Sequence, residues 1–241
     1  MSKPSRLLFS PSMKAPVIEA YKILRTNIQF SNVDDNLKVI LVTSSSQQEG
    51  KSTVSCNLAI SMAQANNKVL LVDCDLRRPS IHRNFHLLNV KGLTNVLAEK
   101  IDYREISNVV GVPRLEVLTS GPKPPNPSEL LGSARMEAFI QSVSNQYDFI
   151  ILDAPPVLPV TDAMVLSKLA DGVIFVIKYG HVPRDKAKSA VESLERIGTK
   201  FLGAVINDIP EKGIGYYGNE YYEEDMTEEK DLGSKLKRVL R

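Results

Sequence analysis

With 241 residues, 43% of them apolar and 24% charged, the chain has the composition of an ordinary globular domain and enough length for one large core. A net charge of +2 is too small to draw nucleic acid by bulk electrostatics, so no nucleic-acid partner is expected. No run approaches the ~18 apolar residues of a membrane span, and the opening "MSKPSRLLFSPSMKAP" does not read as a signal peptide.

A helical pattern comes first. In "PVIEAYKILRTNIQF", Val17, Tyr21, Leu24 and Ile28 form an apolar stripe, and Glu19, Lys22 and Arg25 lie off it. From residue 37 onward, β-branched runs alternate with amphipathic stretches. The runs are "LKVILVT" (37–43), "KVLLVD" (68–73), "LEVLT" (115–119), "DFIILD" (148–153), "GVIFVIK" (172–178) and "FLGAVIND" (201–208). They are continuously apolar, as strands buried on both faces are. The amphipathic stretches include residues 52–64, 127–144 and 183–197. The middle one opens with Asn126 as N-cap, Pro127 at the first position and Glu129 at the third. This order predicts an α/β fold, doubly wound, with a mostly parallel sheet flanked by helices. The expected parts are an N-terminal helical segment (1–36), the α/β domain (37–210) and a C-terminal tail (211–241) expected to be mobile. Cys56 and Cys74 show no metal-ligand spacing and read as buried, reduced thiols, which fits a reducing compartment.

Ligands of such folds sit beyond the carboxyl ends of the strands, and the polar motifs fall there. Residues 45–52, "SSQQEGKS", fit G-x-x-x-x-G-K-[ST] except that Ser45 stands at the first glycine. Gly50 lets the backbone approach phosphate, Lys51 can reach the β- and γ-phosphates, and the Ser52 hydroxyl can ligate Mg²⁺. Backbone N–H groups of Ser46, Gln47, Gln48, Glu49 and the helix start at Ser52 and Thr53 complete an anion site. After the second run come Asp73 and Asp75, two carboxylates that point the same way if strand geometry persists. Left unpaired, such like charges are costly, and a divalent cation relieves them. Asp153 follows the apolar strand "FIIL" as a metal-contacting acid does in phosphate-loop enzymes.

After Pro210 the chain turns rich in glycine and acid. Tyr216, Tyr217, Tyr221 and Tyr222, half of the chain's eight tyrosines, crowd into this segment beside Glu220, Glu223, Glu224 and Asp225. Such a segment cannot bury the aromatics in a core of its own, so they read as an accessible substrate strip.

Together these motifs resemble the bacterial tyrosine kinases of capsular and exopolysaccharide synthesis, a branch of the deviant-Walker P-loop proteins. The resemblance runs from "EAYKILRTNIQF" through "QQEGKST", "LLVDCDLRRP", "GLTNVLAEK", "LTSGPKPPNPSELLGS" and "YDFIILDAPPV" to the tyrosine-rich tail. It implies ATP and Mg²⁺ as cofactors, with Lys51 and Ser52 holding phosphate and metal and Asp75 and Asp153 completing the metal site. Asp73 is then the general base for a tyrosine hydroxyl, Asn207 a contact to the nucleotide base, and Arg77 a contact to substrate or a neighbouring subunit. The tail tyrosines become phosphoacceptors for a neighbouring subunit's site. The resemblance also implies a ring-like homo-oligomer, a separate transmembrane modulator, a protein-tyrosine phosphatase as counterpart and other protein substrates. It places the protein in the cytoplasm, held at the inner face of the membrane through a partner.

Two positions depart from the family. Its loop has Pro-Gly where this chain has Gln47-Gln48, and its E-x-x-R-x-x-R assembly motif reads Glu19, Lys22, Arg25. Lysine keeps the charge at the middle position but loses the planar fork of arginine. Two other readings stand beside the kinase. One is a nucleotide-driven assembly switch of the partition or septum-site type, whose signature lysine position holds Ser46 here. The other is a non-catalytic adaptor of a polysaccharide complex.

Overall fold

The apolar runs pair into one seven-stranded sheet of order β3-β4-β2-β5-β1-β6-β7. Its strands are β1 (Val39–Ser44), β2 (Val69–Asp73), β3 (Asn108–Val109), β4 (Leu115–Leu118), β5 (Phe149–Asp153), β6 (Gly172–Lys178) and β7 (Phe201–Asn207). The computed structural model describes residues 7–8, 10, 13–31 and 37–210. All pairings are parallel except that of β3 with β4. The two-residue β3 was not predicted, because it is too short to carry a periodicity.

Alternate residues of the central strands feed two separate cores, which is why the runs read as continuously apolar. Ile40, Val42, Leu71, Ile151, Ile174 and Val176 face one cluster, with α1 (Ala15–Phe30), α2 (Lys51–Gln64) and α3 (Ile81–Asn84). Leu41, Leu70, Val72, Leu152, Val173 and Phe175 face the other. That side is covered by α4 (Leu93–Glu99), α5 (Pro127–Leu131), α6 (Ala134–Ser144), α7 (Asp162–Ser167) and α8 (Arg184–Glu195). Cys56 and Cys74 are buried free thiols in these two different cores.

The helix α2 lies between the sheet and α1, so it is buried nearly all round. Its polar side chains are accordingly bonded. Asn57 Oδ1 accepts the Leu8 N–H at 2.9 Å, and the Ser61 hydroxyl donates to the Tyr21 carbonyl at 3.3 Å. Of the predicted stripe on α1, Tyr21 and Ile28 are buried and Leu24 is half-buried, while Val17 is exposed.

The single helix expected over residues 127–144 is two. Gly132 ends α5 and Ser133 restarts the chain as the N-cap of α6, its hydroxyl accepting the Met136 N–H. A β-carbon on Gly132 would stand 3.0 Å from Val165 Cγ1, so the break lets α7 pack close. Asn126 does stand at the N-cap of α5, but its side chain bonds to the Glu129 carboxylate instead of a backbone N–H.

The chain divides into two units, Met1–Asn207 and Asp208–Arg241. The tail tyrosines Tyr216, Tyr217, Tyr221 and Tyr222 lie outside the described residues. Among the described residues no helix is long and apolar enough to cross a membrane.

Candidate active site

The carboxyl ends of β1, β2, β5 and β7 carry the loop, Asp73, Asp153 and Asn207 respectively. Between β1 and α2 the chain turns through Gln48 at φ 63° and Gly50 at φ 92°. Glycine takes such angles freely. Gln48 takes its angle at a cost of about 1–2 kcal/mol, at the position where the resembling family has glycine. Its neighbour Gln47 accepts a 2.6 Å hydrogen bond from Arg78 Nη1, which ties the loop to the turn after β2.

Lys51, the first residue of α2, is buried, and Ser52 and Thr53 follow half-buried. Glu49, whose N–H was expected to serve the anion site, turns its side chain inward. It is wholly buried, accepting from Ser45 Oγ at 2.7 Å, Ser46 N at 2.5 Å and Lys178 N at 3.3 Å. The Ser46 N–H is thereby already bonded within the protein.

Asp73 and Asp153 are register partners on adjacent parallel strands, and both are fully buried. Burial pushes the Asp73 carboxyl well above the ordinary range, and the Asp153 charge beside it pushes further. The backbone N–H groups of Ile81 and Ser80, at 3.0 and 3.1 Å from Asp73 Oδ2, oppose that rise. Burial likewise lifts Asp153 to about 6, against the pull of the Lys51 ammonium and the Ser52 and Ser55 hydroxyls. Ser55 Oγ donates to Asp153 Oδ1 at 3.0 Å, while Oδ2 is buried with no partner at full hydrogen-bond geometry. An unpaired buried carboxylate oxygen is costly, and a cation or its water would satisfy it.

Asp75 is nearly buried and accepts the Arg78 N–H at 2.9 Å through Oδ1. Among the described residues, no three His, Cys, Asp or Glu side chains cluster tightly enough to form a metal cage. Mg²⁺ is held by one or two carboxylates with substrate phosphates and waters, and the unpaired Asp153 Oδ2 offers one such ligand. The donor set therefore fits Mg²⁺ brought with a nucleotide.

Three expected residues are engaged elsewhere. Arg77 forms a two-pronged ion pair with the wholly buried Asp162, at 2.9 and 3.1 Å, and also reaches Ser128 Oγ at 3.1 Å. Arg25 is bonded to Ser61, near the far end of α2, about 15 Å along the helix from Lys51 at 1.5 Å per residue. Lys22 pairs with Glu19 at 3.0 Å on the exposed face of α1. The sequence reading missed Asp162 and Ser55. Asp162 follows a threonine at a helix start, a pattern shared with many capping sites. Ser55 lies one turn beyond Lys51 and faces Asp153 only once β5 is in place.

A strand, a phosphate loop capped by Gly-Lys-Ser, and two acids at neighbouring strand ends define a P-loop nucleotide-binding protein. Residues 37–201 match the AAA domain family. The chain is 42% identical to the tyrosine-protein kinase YwqD of Bacillus subtilis, over 84% of this chain and 86% of that one. It is 40% identical to the tyrosine-protein kinase CpsD of Streptococcus agalactiae, over 83% of this chain and 88% of that one. The crystal structure of the chimerical protein CapA2B2 superposes with a TM-score of 0.82 at 38% identity, covering 88% of this chain and 93% of that one. The chain belongs to the bacterial tyrosine kinases.

Proposed function

We propose that this site transfers the terminal phosphoryl group of ATP to tyrosine hydroxyls. The acceptors are Tyr216, Tyr217, Tyr221 and Tyr222 of a neighbouring copy, and the reaction regulates capsular or exopolysaccharide synthesis and export. The observation that carries this reading is Asp153 Oδ2, buried and unpaired at the foot of a Gly-Lys-Ser loop. The other Asp153 oxygen takes the Ser55 hydroxyl, and a cation would satisfy this one.

In the reaction, the tyrosine oxygen bonds to the γ-phosphorus while the bond from that phosphorus to the β–γ bridging oxygen breaks, and ADP leaves. Lys51 offsets charge on the transferring group, and Ser52 with Asp75 and Asp153 would hold Mg²⁺. Bound there, Mg²⁺ supplies charge neutralisation at the phosphate oxygens. The phenolic proton, whose ordinary pKa is near 10, passes to Asp73. Burial and the neighbouring Asp153 raise the proton affinity of Asp73 above that of a solvated carboxylate, which suits it to that role. Its Oδ1 receives only a long 3.3 Å bond from Asp75 N and keeps acceptor capacity.

Each tyrosine phosphate adds about −1.5 to −2 charge, so four add about −6 to −8 to an already acidic strip. That repulsion dissociates a ring of copies, and a protein-tyrosine phosphatase resets it. A separate transmembrane modulator holds the kinase at the inner face of the membrane and activates it. The test uses purified protein, Mg²⁺ and γ-labelled ATP. Label is expected on the four tail tyrosines, absent after Lys51→Met and after changing all four to Phe. Label confined to Ser or Thr, or released only as free phosphate, rejects the kinase reading in favour of an assembly ATPase.

A further inference from the structure

A carboxylate inside a phosphate loop poses an electrostatic problem, because it brings negative charge next to a site for polyphosphate. Glu49 resolves it by facing away from the loop mouth into the protein. Its oxygens gather the Ser45 hydroxyl, the Ser46 N–H and the Lys178 N–H. The first two close the loop on itself across four residues, at the point where the usual first glycine is replaced by Ser45. The third fastens the loop to the end of β6. Serine at the glycine position is therefore no simple loss, since its hydroxyl supplies a bond that glycine cannot.

A second brace comes from the neighbouring strand. Asn207 ends β7, and its Nδ2 donates to the Glu49 carbonyl at 2.9 Å. The same amide occupies the space beside Gly50, where a β-carbon would lie 1.9 Å from Nδ2. Gly50 is thus required twice, by its φ of 92° and by the Asn207 side chain packed against it.

We propose that Glu49 and Asn207 are positioning residues. They hold the phosphate loop in its anion-binding curve before nucleotide arrives, and they act on phosphate affinity through the loop rather than by touching nucleotide. The proposal rests on the reading of this loop as the ATP site. It makes a claim that a base contact from Asn207 does not, namely that the brace matters equally for a ligand without a base. Ordering the loop in advance removes an entropic cost from binding. A charge-assisted hydrogen bond lost from a buried site corresponds to about tenfold or more in an equilibrium constant.

The experiment measures calorimetric affinities of the full chain for ADP and for inorganic tripolyphosphate, each with Mg²⁺. Glu49→Ala is expected to weaken both ligands by about tenfold, and Glu49→Gln by less, because its amide oxygen still accepts from Ser45 and Ser46. Asn207→Ala is expected to weaken both ligands by the same factor. Loss of ADP affinity with tripolyphosphate unchanged makes Asn207 a reader of the base and overturns its place in the brace. Unchanged affinity for both ligands in Glu49→Ala overturns the proposal for Glu49. Should that variant not fold, Ser45→Ala removes one bond of the same brace and is expected to weaken both ligands about threefold; unchanged affinities there overturn the proposal equally. Absence of ADP binding by the unaltered protein rejects the nucleotide reading itself, a result distinct from any of these.

Discussion

In the phosphate loop, the buried Glu49 has a donor against each of its oxygens. At the adjoining strand ends, Asp73 and Asp153 stand side by side in register, both buried, and one oxygen of Asp153 lacks a hydrogen-bond partner. Two regions of one site, each built around buried carboxylates, thus have opposite electrostatics. The Glu49 carboxylate is satisfied within the protein. The acidic side carries repulsion and burial costs that a cation or a proton would relieve. The contrast shows where the protein keeps stability and where it gives stability up for function, as sites of charge chemistry do.

Variants can break this comparison or sharpen it. Lys51→Met removes the cation nearest the chemistry. Tyrosine labelling from γ-labelled ATP is expected to fall by about a thousandfold, as when a transition-state contact is lost. Asp153→Asn is expected to lower the same rate by about a hundredfold, yet to raise the melting temperature of the ligand-free protein at pH 7. A destabilised Asp153→Asn protein would show that the carboxylate is structurally satisfied after all.

The pH dependence follows from the same group. The folded pKa of Asp153 is about 6, above the unfolded value of about 3.9. The folded state therefore takes up the proton first, and stability of the ligand-free protein falls as pH rises from about 4 to about 6. Asp73, shifted in the same direction by burial, adds to the fall. Chemical denaturation across that range should show the slope, and saturating Mg²⁺ with nucleotide should flatten it.

Smaller effects test the flanks of the site. Arg77→Ala leaves Asp162 buried with the Ser128 hydroxyl as its remaining side-chain donor. Because the arginine is itself partly exposed, the expected loss is about 2 kcal/mol, below that of a fully buried pair, read as a shift of the denaturation midpoint. Gln48→Gly, which relieves the left-handed angle, should stabilise by about 1 kcal/mol or less, since part of the gain is lost to unfolded-state entropy. A destabilised glycine variant would mean that the Gln48 side chain contributes more than its backbone angle costs.

Much of this was legible in the chain itself. The central strands β1, β2, β5 and β6 are buried on both faces over most of their length and were readable as uninterrupted apolar runs; β4 and β7 were readable as β-branched runs, although β7 lies half-buried to exposed at the sheet edge. The loop was readable because Gly-Lys-Ser follows such a run directly, and Asp73 and Asp153 because each ends one. The break at Gly132 had only a local signal, a glycine followed by a capping serine, which the continuous amphipathic pattern across it outweighed. The inward turn of Glu49 was hidden by distance in sequence. Its outer partners lie on strands 129 and 158 residues away, and Arg77 finds Asp162 across 85.

The amino-acid order by itself determined which segments are strands, where the turns at their carboxyl ends fall, and which residue types gather there, since these follow from local pattern. The tertiary structure decided which of those polar groups are satisfied by the protein and which are left for a ligand. Glu49 and Asp153 are both acids near the same loop. The placement of β6 gives the second oxygen of Glu49 its donor, and the placement of β2 beside β5 gives Asp153 a like-charged neighbour, because hydrogen bonds and Coulomb forces depend on distance in space and not along the chain.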